Sequence, residues 1–187
     1  MAGNYCDVLG GECPTLGERD ARHELERVFH CDVCNEPVKV EHVTCPKCVL
    51  KQRKPAMGVA AIVQDADGRM LVSERRSGKM QGWYGAPGGR LEWIESFEEA
   101  AVRELQEETG IEAHAVNCEV IGVDQDYSPE EDHHWVIVFV RVKRWSGKPM
   151  AAEPGKHGPW EWYHPGKLPA RTLRPLVRIG EKLAADA

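Results

Sequence analysis

Three glutamates stand close together in one predicted helix. Glu104, Glu107 and Glu108 are three and four residues apart, so at about 100° per residue they share one helix face. Like charges this close repel by a few tenths of a kcal/mol per pair. Clustered carboxylate oxygens with room for water and phosphate suit Mg²⁺ or Mn²⁺. The pattern therefore indicates either a metal site or a solvated acidic face.

The helix that carries these glutamates has recognisable ends. Ser96 with Glu99 three residues later is typical of a capping box, and Gly110 occupies the position of a C-terminal stop. The glycine-rich stretch from Gly85 to Gly89 predicts a loop before the helix. The helix that carries the glutamates should therefore follow a tight, glycine-rich loop.

The remaining elements alternate between strands and helices. Strands are predicted at Val59–Val63, Arg69–Glu74, His114–Asp126 and His133–Arg144, and helices at Leu16–Phe29 and Thr172–Ala185. This order predicts an α/β or α+β sandwich.

Cysteines are concentrated at the amino terminus, where six of the seven precede residue 49. Four form two C-x-x-C pairs, a spacing that suits tetrahedral zinc better than disulfides. They are Cys31, Cys34, Cys45 and Cys48. Cys6 and Cys13 lack such a partner and are either free thiols or extra ligands, whereas Cys118 is expected to be a buried apolar residue.

The bulk composition indicates a soluble globular chain. Its 187 residues are 42% apolar and 29% charged, with a net charge of −6. No stretch is long and apolar enough to span a bilayer, and no export signal is evident, so we expect a cytoplasmic protein. The basic segment before Pro55 predicts a boundary between an N-terminal domain, residues 1–54, and a larger domain, residues 55–187.

The surroundings of the three glutamates match the Nudix box, so the chain from Met57 to Ala185 resembles a Nudix hydrolase. The matching residues are Gly89-x5-Glu95-x7-Arg103-Glu104-Leu105-x-Glu107-Glu108-x-Gly110-Ile111. The resemblance implies an α/β/α sandwich with a mixed sheet, preceded here by a small zinc-ribbon-like domain.

The resemblance also implies a role for each residue of the box. Glu104 and Glu108 would be the main Mg²⁺ or Mn²⁺ ligands, with Glu107 a ligand or water-positioning group. The carbonyl of Gly89 would complete the shell, and Arg103 would pair with Glu95. A further loop acid is expected, and the alternatives Glu130, Glu131 and Asp132 stay open.

The carboxyl-terminal part of the chain resembles MutT-like nucleoside triphosphate pyrophosphohydrolases. The resemblance rests on Glu153-Pro154-Gly155-Lys156, on Trp160-Glu161-Trp162 and on the His133-His134-Trp135-Val136 strand start. It implies hydrolysis of a nucleoside triphosphate, such as a modified purine deoxynucleotide, to a monophosphate and pyrophosphate. The implied substrate contacts are Arg75, Arg90, Trp160, Thr172 and Leu173, although Trp160 and Trp162 are equally compatible with core positions.

Two other functions remain open. NADH pyrophosphatases also carry a four-cysteine zinc segment, but the array that marks them after the box is absent here, so NADH and ADP-ribose rank second. The third alternative is a Nudix-fold binding module that recruits a partner through the zinc segment. We expect a nucleotide substrate and no membrane or nucleic-acid partner, and a homodimer stays open.

We predict that the amino-terminal segment holds one structural zinc ion. Four thiolates fill a tetrahedral shell, and binding is worth about 10 kcal/mol or more in small zinc modules. Elemental analysis of the purified full-length protein should find one zinc per chain. Replacing the four cysteines Cys31, Cys34, Cys45 and Cys48 by serine should remove it; zinc that persists in that variant would disprove the site.

Overall fold

A computed structural model describes residues 29–30, 37–38, 54–128 and 133–186 of the chain. The chain divides into two units, Met1–Arg53 and Lys54–Ala187. In the first unit, β1 (Phe29–His30) and β2 (Pro37–Val38) form an antiparallel pair. The four predicted zinc ligands lie outside the described residues. So does the helix predicted from Leu16, apart from Phe29, which lies in β1 rather than in a helix.

The second unit contains nine strands and two α-helices among its described residues. The strands are β3 (Ala56–Val63), β4 (Met70–Arg75), β5 (Tyr84–Gly85), β6 (Gly88–Arg90), β7 (Glu112–Ala113), β8 (Cys118–Ser128), β9 (His133–Val142), β10 (Trp145–Ser146) and β11 (His157–Tyr163). The helices are α1 (Phe97–Thr109) and α2 (Arg174–Ala185). None of the helices in the described ranges is long and apolar enough to cross a membrane.

The main sheet has the strand order β6-β3-β9-β8. Strands β3 and β9 run parallel, while β6 and β8 pair antiparallel with their neighbours. A second sheet, with the order β11-β4-β5, is antiparallel throughout. The mixed sheet predicted from the family resemblance is therefore confirmed.

The two helices lie on opposite faces of the main sheet. Side chains alternate between faces along a strand, and β3 shows both sides of this core. Val59, Ala61 and Val63 pack in one cluster with Leu105 of α1. Ile62 packs in the other cluster, with the α2 residues Leu176, Ile179 and Leu183. This gives the α/β/α layering.

Helix α1 has the ends that the sequence predicts. The Ser96 hydroxyl accepts from the Glu99 N–H at 3.2 Å, and the Glu99 carboxylate accepts from the Ser96 N–H at 2.9 Å. Gly110 ends the helix with a φ of 70°, in the left-handed region that glycine tolerates best. The buried Ala100 and Leu105 pack one side of α1 against the sheet. The glutamates of the helix are not part of this apolar cluster.

The glycine-rich segment is not the loop that we predicted. It includes the end of β5 and the first two residues of β6, and β6 pairs antiparallel with β3 as the edge strand of the main sheet. A Cβ on Gly88 would lie 2.2 Å from the carbonyl oxygen of Val59. Glycine is required here because the two backbones approach closely. In the sequence alone, these glycines resemble the composition of a loop.

One strand boundary differs from the prediction, and one strand was not predicted. Strand β8 begins at Cys118 rather than His114, because Ala115–Asn117 forms a 3₁₀ turn. Strand β11 was not assigned from the residue pattern, and it pairs with β4. Helix α2 is close to the prediction, with Pro175 in its first turn, where a missing N–H is tolerated.

Candidate active site

Glu108 is buried at the contact between α1 and the edge strand β6. Its side chain retains little solvent contact, and the residue is 5% exposed. One carboxylate oxygen, Oε2, accepts from the backbone N–H of Gly88 at 3.0 Å. The other oxygen, Oε1, lies 2.9 Å from Nε2 of His157 on β11. Both oxygens of this predicted ligand are therefore held in place.

Glu104 lies one helical turn earlier and packs against Gly89. A Cβ at Gly89 would lie only 2.2 Å from Oε1 of Glu104, so no other residue type fits without a shift. Burial raises the pKa of the Glu104 carboxyl above its ordinary value. The hydrogen bond and charge of Arg103 oppose this shift, whereas the charges of Glu108 and Glu107 add to it.

Arg103 ties the site to the loop before α1. Its Nε and Nη2 donate to the two oxygens of Glu95 at 2.8 and 3.0 Å, a bidentate pair, and its Nη1 donates to Glu104 at 2.8 Å. The hydrogen bond from Arg103 is the main reason that the pKa of Glu95 is lowered. Nη2 also donates to the carbonyl of Arg90 at 3.1 Å. One guanidinium thus connects β6, the loop and the partly buried carboxylate of Glu104.

The loop that Arg103 holds contains a strained residue. Ile94 has a φ of 63°, and no other non-glycine residue in the described ranges has a positive φ. A left-handed backbone costs a β-branched residue about 1–2 kcal/mol. The side chain of Ile94 is 88% exposed, so packing against the core does not offset this strain. The Arg103–Glu95 pair restrains the loop at the residue next to Ile94.

Glu107 does not join the carboxylates of Glu104 and Glu108. Its side chain is 56% exposed and lies 3.7 Å from Nη1 of Arg103. Within residues 54–128 and 133–186, no three acidic, histidine or cysteine side chains are arranged so as to hold a metal ion. The alternatives for a loop ligand, Glu130, Glu131 and Asp132, lie outside the described residues.

The residues present nevertheless fit a hard divalent cation in their chemistry. Glu104 and Glu108 offer carboxylate oxygens, the ligand type that Mg²⁺ and Mn²⁺ prefer. A Cβ at Gly89 would fill the space beside the Glu104 carboxylate, so glycine there keeps the donor oxygens and the backbone close together. Burial, together with the charges of Glu108 and Glu107, raises the pKa of Glu104, and a bound cation would favour its ionised form.

A pocket with a cavity volume of about 340 Å³ lies on the α2 face of the sheet. Gly88 and Gly89 line it, so the edge strand β6 separates the pocket from the carboxylates by the thickness of a backbone. The apolar part of the wall consists of Ile137, Phe139, Leu173, Pro175 and Leu176. This volume lies at the lower end of the range for small-molecule sites.

Polar and aromatic side chains complete the pocket wall. Trp135 covers Gly58, where a Cβ would lie 3.1 Å from the indole ring, and the guanidinium of Arg90 lies 5.2 Å from that ring's centroid. Nε of Arg75 is buried without a hydrogen-bond partner. The Asp126 carboxylate lies 3.4 Å from Nε2 of His133. The wall therefore offers a cation, a carboxylate and a stacking surface.

The structure brings together some of the predicted substrate contacts and separates others. Arg75 and Leu173 line the pocket, and Arg90 lies against Trp135. Thr172 is buried and donates to the carbonyl of Pro169. Trp160 is also buried, and its Nε1 donates to the backbone carbonyl of Glu108, so it belongs to the core beneath the site.

The sequence reasoning missed three residues of this region. Asp126 and Trp135 are paired across the β8–β9 hairpin, and both line the pocket. The predicted strands end at Asp126 and resume at His133, so they do not give the register that places Asp126 opposite Trp135. His157 contacts Glu108 from β11, and no local signal marks it apart from its place directly after Glu153–Lys156.

The family model of the NUDIX domain matches residues 54–183, which include the carboxylate helix, the glycine edge strand and the pocket. The chain belongs to the Nudix family. Gly89, Glu104 and Glu108, which lie together at the site, all fall within the matched residues.

Several curated relatives are similar to this Nudix chain. An m7GpppN-mRNA hydrolase NUDT17 of Xenopus laevis is 31% identical over 141 residues, 71% of this chain and 46% of the relative. An ADP-ribose pyrophosphatase of Methanocaldococcus jannaschii is 40% identical over 89 residues, 46% of this chain and 50% of the relative. An 8-oxo-dGTP diphosphatase of Escherichia coli is 30% identical over 112 residues, 59% of this chain and 81% of the relative.

The chain thus spans about half the length of the first two relatives. Among solved structures, a MutT Nudix hydrolase from Burkholderia pseudomallei has a TM-score of 0.63 and 29% identity. The alignment covers 70% of this chain and 98% of that one. The names of these relatives place the Nudix domain among hydrolases and include MutT-like members, but they differ in substrate.

Replacing Glu104 by Gln should stabilise the protein in buffer without added divalent metal. A carboxyl whose pKa is raised on folding lowers stability above that raised value, and this penalty disappears below its ordinary pKa. The thermal midpoint of Glu104→Gln should therefore exceed that of wild type at pH 7, and the gain should shrink toward pH 4. A gain of about 2–4 °C would correspond to roughly 1 kcal/mol.

Glu107→Gln is the matched control, because it removes a charge from an exposed position on the same helix and should change stability by less than about 0.5 kcal/mol. If Glu104→Gln melts below wild type at pH 7, the lost bond to Arg103 outweighs the relief of the buried charge.

Proposed function

We propose that this Nudix domain hydrolyses a nucleoside triphosphate to a monophosphate and pyrophosphate, with Mg²⁺ or Mn²⁺. A modified purine deoxynucleotide is the favoured substrate. The observation that carries the proposal is the position of β6. Its two glycines have the carboxylates of Glu104 and Glu108 on one side and the 340 Å³ pocket on the other. A nucleotide in the pocket would therefore extend its phosphate chain past the carboxylates.

The metal would be held by Glu104 and Glu108, with the Gly89 carbonyl and with Glu107 as a ligand or water-positioning group. Such a cation neutralises phosphate charge and lowers the pKa of a bound water. The chain contributes orientation: Arg103 fixes Glu104, and the Gly88 N–H with His157 fixes Glu108. These fixed contacts reduce the rearrangement that binding a phosphate chain requires.

The nucleoside end would occupy the pocket. Its volume suits one nucleoside better than a dinucleotide. Trp135 would stack on the base, and the Asp126 carboxylate would accept a hydrogen bond from base N–H groups. Arg75, with its unpartnered buried Nε, would contact the phosphate chain. Leu173 would contribute an apolar contact.

ADP-ribose is the second candidate, with NADH beside it. The support for it is the 40% identity to an ADP-ribose pyrophosphatase over 89 residues. A Nudix-fold binding or regulatory module that recruits a partner through the zinc segment is disfavoured, because all three box glutamates and their arginine partner are present. For the first unit we keep the proposal of a structural zinc held by four cysteines.

Glu104→Gln and Glu108→Gln should each lower kcat at least about a hundredfold, since each removes an oxygen ligand of the catalytic metal. Steady-state rates with Mg²⁺ would be compared with circular dichroism spectra that verify the fold. Val116→Ala, at an exposed site, serves as the control that should keep normal turnover. Near-normal turnover of folded Glu108→Gln would disprove the metal assignment.

The enzyme should release pyrophosphate from a nucleoside triphosphate faster than it cleaves NADH or ADP-ribose. The test is a panel of natural and oxidised purine deoxynucleoside triphosphates, ADP-ribose, NADH and capped RNA, all at equal concentration with Mg²⁺. Chromatography of the products identifies which phosphate bond breaks. A clear preference for ADP-ribose or NADH would reverse the ranking.

A further inference from the structure

His157 on β11 holds the carboxylate of Glu108 from the side opposite to the edge strand. We infer that His157 is a positioning residue, which aims Glu108 at the divalent metal without itself binding substrate. The inference rests on the proposed metal-dependent function. It concerns a residue that lies outside the Nudix box, between the Glu153–Lys156 stretch and Trp160.

The polar contacts at the two Glu108 oxygens support this role. Nε2 of His157 is 2.9 Å from Oε1 of Glu108, while the Gly88 N–H lies 3.0 Å from Oε2. Nε2 of a histidine can donate to a carboxylate oxygen, which only accepts. Each oxygen keeps a lone pair for a metal, and rotation of the carboxylate is restrained from two sides. Ligand carboxylates in metal sites are commonly oriented by such hydrogen bonds.

The backbone of β11 is arranged so that His157 can reach Glu108. Successive residues of a strand face opposite sides, so residues 157 and 160 should point apart. Between them the pairing with β4 shifts: His157 lies opposite Arg75, but Trp160 lies opposite Ser73. Three steps on β11 therefore match two steps on β4, which is a β-bulge. Bulges re-aim side chains in this way and are frequent beside active sites.

The bulge places the His157 and Trp160 rings together under the end of α1. The two rings stack, with centroids 5.3 Å apart and an interplanar angle of 25°. Nε1 of Trp160 donates to the backbone carbonyl of Glu108 at 3.1 Å. The same residue, Glu108, is thus held at its backbone by Trp160 and at its carboxylate by His157. His157 is only 5% exposed, so its ring has little freedom to turn away.

A purely structural role for His157 makes a different prediction. In that case its loss would lower the thermal stability but leave the metal affinity of the folded protein unchanged. Two variants of the full-length chain separate the two roles. His157→Phe keeps a ring that can stack on Trp160 but removes the donor. His157→Gln keeps an N–H at a similar distance from the backbone.

The first measurement is binding of Mn²⁺ to the full-length protein, followed by electron paramagnetic resonance without substrate. The second is the Mg²⁺ concentration that gives half-maximal turnover. We expect His157→Phe to weaken Mn²⁺ binding and raise that Mg²⁺ concentration, each about 10- to 100-fold. His157→Gln should recover most of the loss. Leu183→Ala, a core change on the other face of the sheet, should lower stability without this effect.

Two results would overturn the inference. The first is unchanged Mn²⁺ affinity in folded His157→Phe; the second is a loss of one bound Mn²⁺ per chain, which would make His157 a ligand. If His157→Phe does not fold, His157→Asn, whose amide is too short to reach Glu108, replaces it in the same comparison with His157→Gln. Wild-type protein that binds Mn²⁺ but hydrolyses no nucleotide would contradict the proposed function, while the affinity comparison would still decide the role of His157.

Discussion

The contact between two carboxylates and the two glycines of β6 is the constraint on which this site depends. Glu108 reaches the Gly88 N–H, and Glu104 lies where a Cβ of Gly89 would be. Any larger residue at Gly89 would displace Glu104, and at Gly88 it would displace β3. The edge of the sheet is therefore narrow at this point, with the pocket on one side of the glycines and the two carboxylates on the other.

Placing carboxylates in this position has an electrostatic cost, because burial disfavours the ionised form. The fold offsets the cost differently for the two residues. Glu108 has a polar partner at each oxygen, the Gly88 N–H and Nε2 of His157. Glu104 relies on Arg103, which it shares with Glu95. The pKa of Glu104 is still raised. The protein thus compensates only part of the negative charge of the two carboxylates. A divalent cation would supply further positive charge.

Much of this architecture could be predicted from the sequence, because its signals are local. The capping box at Ser96, the stop at Gly110 and the alternation in β3 each depend on neighbouring residues. The edge strand β6 could not be recognised, since the glycines that allow its close pairing resemble a loop. The role of His157 depends on a bulge in β11, and a bulge has no signature in composition. The positions of Arg103 and Glu95 were predicted through the family resemblance, and the structure shows them paired.

The contacts of Glu108 also determine when the site can form during folding. Helix α1 has its own caps, so it can form early from local interactions. Its carboxylate at position 108, however, meets a strand 20 residues earlier in the chain and another strand far later. Contacts between distant segments form late, because closing long loops costs entropy. A partly folded chain can therefore possess the complete acidic helix and still lack an ordered site, so catalytic competence reports on completion of the whole domain.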